Sequence, residues 1–110
     1  MSINFSEGNI FTDSSCQIKE EIFNTIFSGK NIKIEQIISS GHTSPAEGWY
    51  DQTQQEWVIL IEGEAILEFE NNQKKKLKKG DYLLIPALAK HKVIYTSTNP
   101  KCVWLAIFFG

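Results

Sequence analysis

A change of hydrophobic period after Gly29 limits what this chain can become more than any other feature. Beyond it, apolar residues recur at every second position in short runs, and each run is closed by a turn signal. Period two places alternate side chains on opposite faces of a strand. In 31–39, Ile32 and Ile34 alternate with Lys33 and Glu35 before the run ends in Ile37-Ile38. SSGHTSPAEG follows as a loop marked by Gly41, Pro45 and Gly48. In 56–62, Glu56, Val58 and Leu60 share one face and Trp57, Ile59 and Ile61 the other. Both faces are largely apolar, so this strand is expected to be covered on both sides. Gly63 marks the turn after it. Ala65, Leu67 and Phe69 then alternate with glutamates, giving a strand with one wet face. ENNQ is a hairpin turn in which Asn71 and Asn72 tolerate positive φ. Residues 82–85 form a strand ended by Pro86. In 91–96, His91, Val93 and Tyr95 share a face, and VWLAIFF near the end is apolar throughout. About seven short strands separated by turns imply a sandwich or barrel of antiparallel strands.

The segment ahead of these strands reads differently. Residues 1–17 are polar with scattered aromatics and read as an arm. Over 17–27, Ile18, Ile22, Phe23, Ile26 and Phe27 fall on one face of a helix, with Ser14 or Ser15 as cap and Gly29 as stop. The expected organisation is therefore an arm and one short amphipathic helix over 1–30, packed on a single barrel domain over 31–110.

Composition narrows the function classes. At 110 residues the chain is one domain, and 42% hydrophobic content is ample for a core. A net charge of −2 argues against a nucleic-acid binder. The lysine run 74–79 reads as a solvated strand edge facing Glu64, Glu68 and Glu70, which it nearly neutralises. Cys16 and Cys102, far apart in sequence, read as free thiols of a reducing compartment. The first residues lack a basic start and an apolar core, and no apolar run reaches the roughly 18–20 residues of a membrane span. A cytoplasmic protein without membrane attachment is expected.

Two motifs carry the chemistry. The first is Glu56-x6-Gly63; the second is Gly80-x5-Pro86-x-Leu88-x2-His91. Together they resemble the paired signature motifs of the cupin superfamily, and the likeness spans roughly residues 32–109, with short single-domain bacterial cupins nearest in pattern. The resemblance implies a small antiparallel jelly-roll barrel with a pocket inside. It also implies a divalent metal (Zn, Ni, Mn or Fe) held by two histidines and a glutamate of the first motif and a histidine of the second, and frequent homodimers. The chain departs from that pattern. The first two ligand positions hold Tyr50 and Gln52 at one spacing, or Trp49 and Asp51 at the other. The glycine of the second motif is Leu88, and its terminal asparagine position is Tyr95.

Glu56 and His91 remain as the polar centre, with Gln52 as a third candidate metal donor and Tyr50, Gln52 and Tyr95 as candidate pocket residues. A buried carboxylate needs a partner. Glu56 and His91 can therefore be metal ligands, a proton-transfer pair, or two groups that satisfy each other. His42, in the loop, lies outside the motif positions. If Glu56 faces in, Trp57, Ile59 and Ile61 face out and need a cover, with Trp104, Ile107 and Phe109 adding to that outer face. Four functions remain open: a cupin binding a small molecule or metal, a mononuclear metal enzyme such as a dioxygenase or isomerase, a metal-free acid–base enzyme on a small sugar or acid, and an interaction module.

Overall fold

Every period-two run in the sequence is a strand in the computed structural model, which describes residues 2–12, 18–44, 49–50 and 52–110. The strands are β1 (Ile22–Gly29), β2 (Ile32–Ser39), β3 (Gln55–Glu62), β4 (Glu64–Phe69), β5 (Lys74–Lys78), β6 (Tyr82–Ile85), β7 (His91–Thr96) and β8 (Cys102–Phe109). They form a five-stranded sheet in the order β1-β2-β8-β3-β6 and a three-stranded sheet in the order β5-β4-β7, all pairs antiparallel. The architecture is the expected all-β jelly roll.

The expected helix is a strand. Within 17–27, Gln17 and the proposed caps Ser14 and Ser15 lie outside the described residues, but from Ile22 onward the chain is β1, paired with β2 from Ile22↔Ile38 to Gly29↔Ile32. Two physical effects produced the false helical period. The segment is rich in β-branched and aromatic residues, which fit a pleated surface. The register then shifts between Thr25 and Phe27, leaving Ile26 as an extra residue that breaks the alternation and mimics a spacing of four. Open pairing sites along β2 therefore outweigh a weak helical pattern. The five-stranded sheet thus begins at residue 22, not 31.

The inner faces of both sheets meet in a core that includes Val58, Leu60, Leu67, Ile85, Trp104 and Ala106. Trp104, expected on the outer face, faces inward instead, because alternation along β8 sets Trp104, Ala106 and Phe108 on one side and Leu105 and Ile107 on the other. The lysine run behaves as a strand edge: Glu64 faces Lys78 and Glu68 faces Lys74, the latter with Nζ 3.9 Å from the carboxylate. Such exposed pairs contribute little to stability but keep the edge charged and solvated. Within β2, Gln36 is 4% exposed and its side chain donates to the carbonyls of Ile10 and Thr12, so one side chain fastens the N-terminal arm to the five-stranded sheet. Cys102 is buried, with its Sγ donating to the Glu64 carbonyl; Cys16 lies outside the described residues.

The second motif keeps its backbone shape despite losing its glycine. Leu88 has φ 66°, a left-handed conformation, and is two-thirds exposed. A left-handed leucine costs about 1–2 kcal/mol. Glycine removes that strain but loses about 0.5–1 kcal/mol in chain entropy. Leu88→Gly is therefore expected to stabilise the fold by about 0.5–1 kcal/mol, read by urea unfolding, with the slope unchanged. A destabilised variant would show that the leucine side chain supplies packing that its exposure conceals.

Candidate functional site

Glu56 sits near the start of β3 and points inward with Val58, opposite the inner face of β7, which begins at His91. The two sheets therefore bring the carboxylate and the imidazole to the same end of the barrel from different layers. His91 Nε2 lies 3.6 Å from Glu56 Oε1, and both side chains are largely buried, 7% and 12% exposed. This is an ion-pair contact, too long for a good hydrogen bond. On the other side of the ring, His91 Nδ1 donates to the Ala89 carbonyl at 2.9 Å. A carbonyl can only accept, so Nδ1 carries a proton and Nε2 is the nitrogen that gains or loses one. Burial pushes the His91 pKa down. The Glu56 carboxylate and the Ala89 carbonyl together outweigh burial and hold it above its ordinary 6.5.

Gln52 Nε2 donates to Glu56 Oε1 at 3.1 Å, which orients the carboxylate towards the ring. Tyr50 is bridged to His91 through backbone hydrogen bonds in both directions, and its ring centroid stands 5.9 Å from the imidazole at the mouth of the cavity. Phe69 flanks the ring at the same centroid distance. Tyr50 and Gln52 thus line the cavity as the sequence suggested. Tyr95 does not: it is 44% exposed and pairs with Ile66 on the outer face. The register of β4 and β7 shifts between Ile66 and Leu67, so Ile94 is an extra residue and the alternation that pointed Tyr95 inward is reversed before it.

The cavity between the sheets has a volume of about 260 Å³, at the low end for ligand pockets. Its walls are mainly apolar, with Ile37, Val58, Leu67, Ile85, Val93 and Phe108 prominent. Further lining residues that escaped sequence reasoning include Glu21, Phe23, Glu35 and Trp104. The helical assignment of 17–27 hid the first two. Glu35 was legible as a charge at an alternate position of β2, but which face was inner could not be read from one strand. His42 acts as a fastener. Its Nδ1 accepts from the Ser40 amide and its Nε2 donates to the Lys19 carbonyl, tying the two segments that flank the cavity.

A transition-metal site of the implied kind needs three or four good nitrogen or oxygen donors. Among the described residues no group of three His, Cys, Asp or Glu stands close enough to hold an ion. Glu56 and His91 supply two donors, and Gln52 is an amide whose nitrogen, as placed, faces Glu56. The described donor set therefore falls short of the implied metal site. Asp51 lies outside the described residues. No described helix is long and apolar enough to cross a membrane.

Comparisons with known proteins follow the same geometry. A family model described as cupin domain matches residues 35–108. Among solved structures, a candidate mannose-6-phosphate isomerase of Ralstonia eutropha JMP134 is 38% identical, with TM-score 0.88, and the match covers 94% of this chain and 96% of that one. A cupin superfamily protein of Desulfitobacterium hafniense DCB-2 shares 17% identity over 86% of this chain and 82% of its own, with TM-score 0.72. An RmlC-like cupin of Methanocaldococcus jannaschii with a double-stranded β-helix fold shares 16% over 99% and 92%, also with TM-score 0.72. These last two bear on the fold alone. No match is found among curated proteins. A β-barrel with both motifs in place, matched by the family model over most of its length, makes this chain a member of the cupin domain family.

Proposed function

We propose that the chain binds a small organic molecule inside the barrel and that Glu56 and His91 move a proton to or from it. The observation that carries this reading is the fixed His91 ring: Nδ1 is committed to Ala89, so Nε2 faces Glu56 and the cavity as the exchanging atom. A buried carboxylate–imidazole pair offers an acceptor and a donor within one small space. An isomerase reading, suggested by the relative at 38% identity, asks for that same pair of roles. A sugar phosphate as substrate has less support. The chain contains no arginine, and the lysine that reaches the lining, Lys33, is paired with Glu35, so a phosphate would find no cationic fork there.

The test uses solvent exchange. Small carbonyl compounds are incubated with the protein in D2O, and deuterium incorporation next to the carbonyl is followed by proton NMR. Catalysed exchange that disappears in Glu56→Gln and in His91→Asn supports the pair; binding without exchange for every compound removes the acid–base part.

Family membership favours a second reading, in which Glu56, His91 and Gln52 hold a divalent ion with water completing its shell. Calorimetric titration with Zn²⁺, Ni²⁺, Mn²⁺ and Fe²⁺ decides it: tight binding abolished by Glu56→Ala would restore the metal, and heats at the level of buffer would discard it.

We further propose a homodimer formed through the outer face of the five-stranded sheet. On the edge strand β6, Tyr82 is 66% and Leu84 49% exposed, and the Trp57 ring stacks near Tyr82 at 5.8 Å between centroids. Apolar surface of this kind beside an unpaired strand edge suits a second copy. Sedimentation velocity is expected to give a dimer that Tyr82→Glu converts to monomer; a monomer at every concentration would refute the assignment.

A further inference from the structure

The inner face of β8 carries a large–small–large row: Trp104, Ala106 and Phe108. Ala106, the small residue between the two aromatic positions, is fully buried. Its partner across the β2–β8 pair is Glu35, so a carboxylate stands on the same inner face as the aromatic row. Glu35 lines the cavity and is 9% exposed. Its described partner is Lys33, whose Nζ is 3.0 Å from the carboxylate and 5.5 Å from the centroid of the Phe108 ring. The protein thus displays, on its own side chain, an alkylammonium held by Glu35 and an aromatic face. Lys33 is 45% exposed and reaches this spot from the open side.

Two further observations point the same way. The described lining includes three carboxylates, Glu21, Glu35 and Glu56, against one titratable cation of its own, His91, and the Lys33 ammonium that reaches Glu35. That histidine already faces Glu56, while among the described residues Glu21 accepts from a neutral hydroxyl, that of Ser39. The field inside favours cations. Independently, Trp104 is 5% exposed, and its indole N–H has no hydrogen-bond partner among the described residues. A buried donor without an acceptor is a costly vacancy that a ligand oxygen can fill.

We infer that the cavity takes a small organic ammonium compound, its charge seated on Glu35 against Phe108 and a neutral oxygen offered to the Trp104 indole. The inference rests on the barrel interior being a small-molecule site and adds the class of molecule. Lys33 is then a tethered competitor for the seat, not part of the ligand's wall.

Three probes share a phenyl ring and a benzylic hydroxyl and differ only in the end group: phenylethanolamine (ammonium), phenylethylene glycol (hydroxyl) and mandelate (carboxylate). In calorimetric titrations of the full chain at neutral pH, the amine is expected to bind about ten-fold more tightly than the glycol, and mandelate most weakly. Glu35→Gln should remove about ten-fold from the amine and leave the glycol within about two-fold. Lys33→Met, a surface change that leaves the core intact, should strengthen amine binding about three-fold by freeing the seat. Equal affinity for amine and glycol, or an amine preference untouched by Glu35→Gln, would overturn the ammonium seat while leaving a small-molecule pocket standing. Failure of all three probes to bind would overturn the seat and weigh against the pocket as well.

Discussion

Gly63→Ala is expected to lower stability by about 3–5 kcal/mol, enough to unfold a large share of the protein at ordinary temperature. Gly63 joins β3 to β4 and so turns the chain from one sheet to the other. Its φ is +95°, outside even the left-handed well that asparagine tolerates. A Cβ there would lie 2.8 Å from Cys102 Sγ, 2.9 Å from Cys102 Cα and 2.9 Å from the Lys101 carbonyl oxygen. Two of these three atoms are backbone, so no side-chain rotation relieves the clash. Cys102 itself is fully buried, and its displacement would disturb β8, the strand paired with both β2 and β3. Gly80 provides the control. It also has positive φ, +88°, but open space where its Cβ would go. Gly80→Ala should therefore cost only the backbone strain, about 1–2 kcal/mol. Equal losses for the two variants in thermal or urea unfolding would show that steric approach at Gly63 is not the governing factor.

The second large effect is a reversal of pH dependence on removing Glu56. In the native protein the folded His91 pKa is raised, so the charged ring is favoured by folding. Its stabilising contribution is fully present below the unfolded value of about 6.5 and is lost as pH rises through the folded pKa. Burial, the largest single influence, works the other way; Glu56 and Ala89 together overcome it. Glu56→Gln removes the carboxylate's share and leaves burial opposed by the Ala89 carbonyl alone. The His91 pKa is then expected below 6.5, and folding favours the neutral ring. Stability from this group is present above that value and lost as pH falls. NMR titration of the His91 ring should show the pKa move from above to below the ordinary value, and denaturant midpoints between about pH 5 and 8 should change slope in sign. A pKa that stays raised in the variant would mean that the Ala89 hydrogen bond, and not the Glu56 charge, sustains the raised value.

Much of the architecture was legible because barrels write themselves in period two. The strands over 31–109 and the turns at Gly63, Asn72 and Gly80 all follow from local pattern, and so does the cancellation of lysines by glutamates across β4 and β5. Bulges were not legible. Ile26 and Ile94 each insert one residue into a ladder, and a bulge is a choice made by two strands together. At Ile26 this turned a strand into an apparent helix; at Ile94 it sent Tyr95 outside. The site was half readable for a related reason. Glu56, His91, Tyr50 and Gln52 come from the motifs, where spacing carries position. Glu35, Glu21 and Trp104 reach the cavity through strand order, and that order, with β8 between β2 and β3, is not encoded in any single segment.

The paired hydrogen bonds between Tyr50 and His91 join a half-exposed lining tyrosine to the buried imidazole by a single rung of backbone. In the proposed acid–base reading, a ligand that displaced the tyrosine backbone would pull on the histidine backbone as well, so ligand width and proton affinity would be linked through that rung.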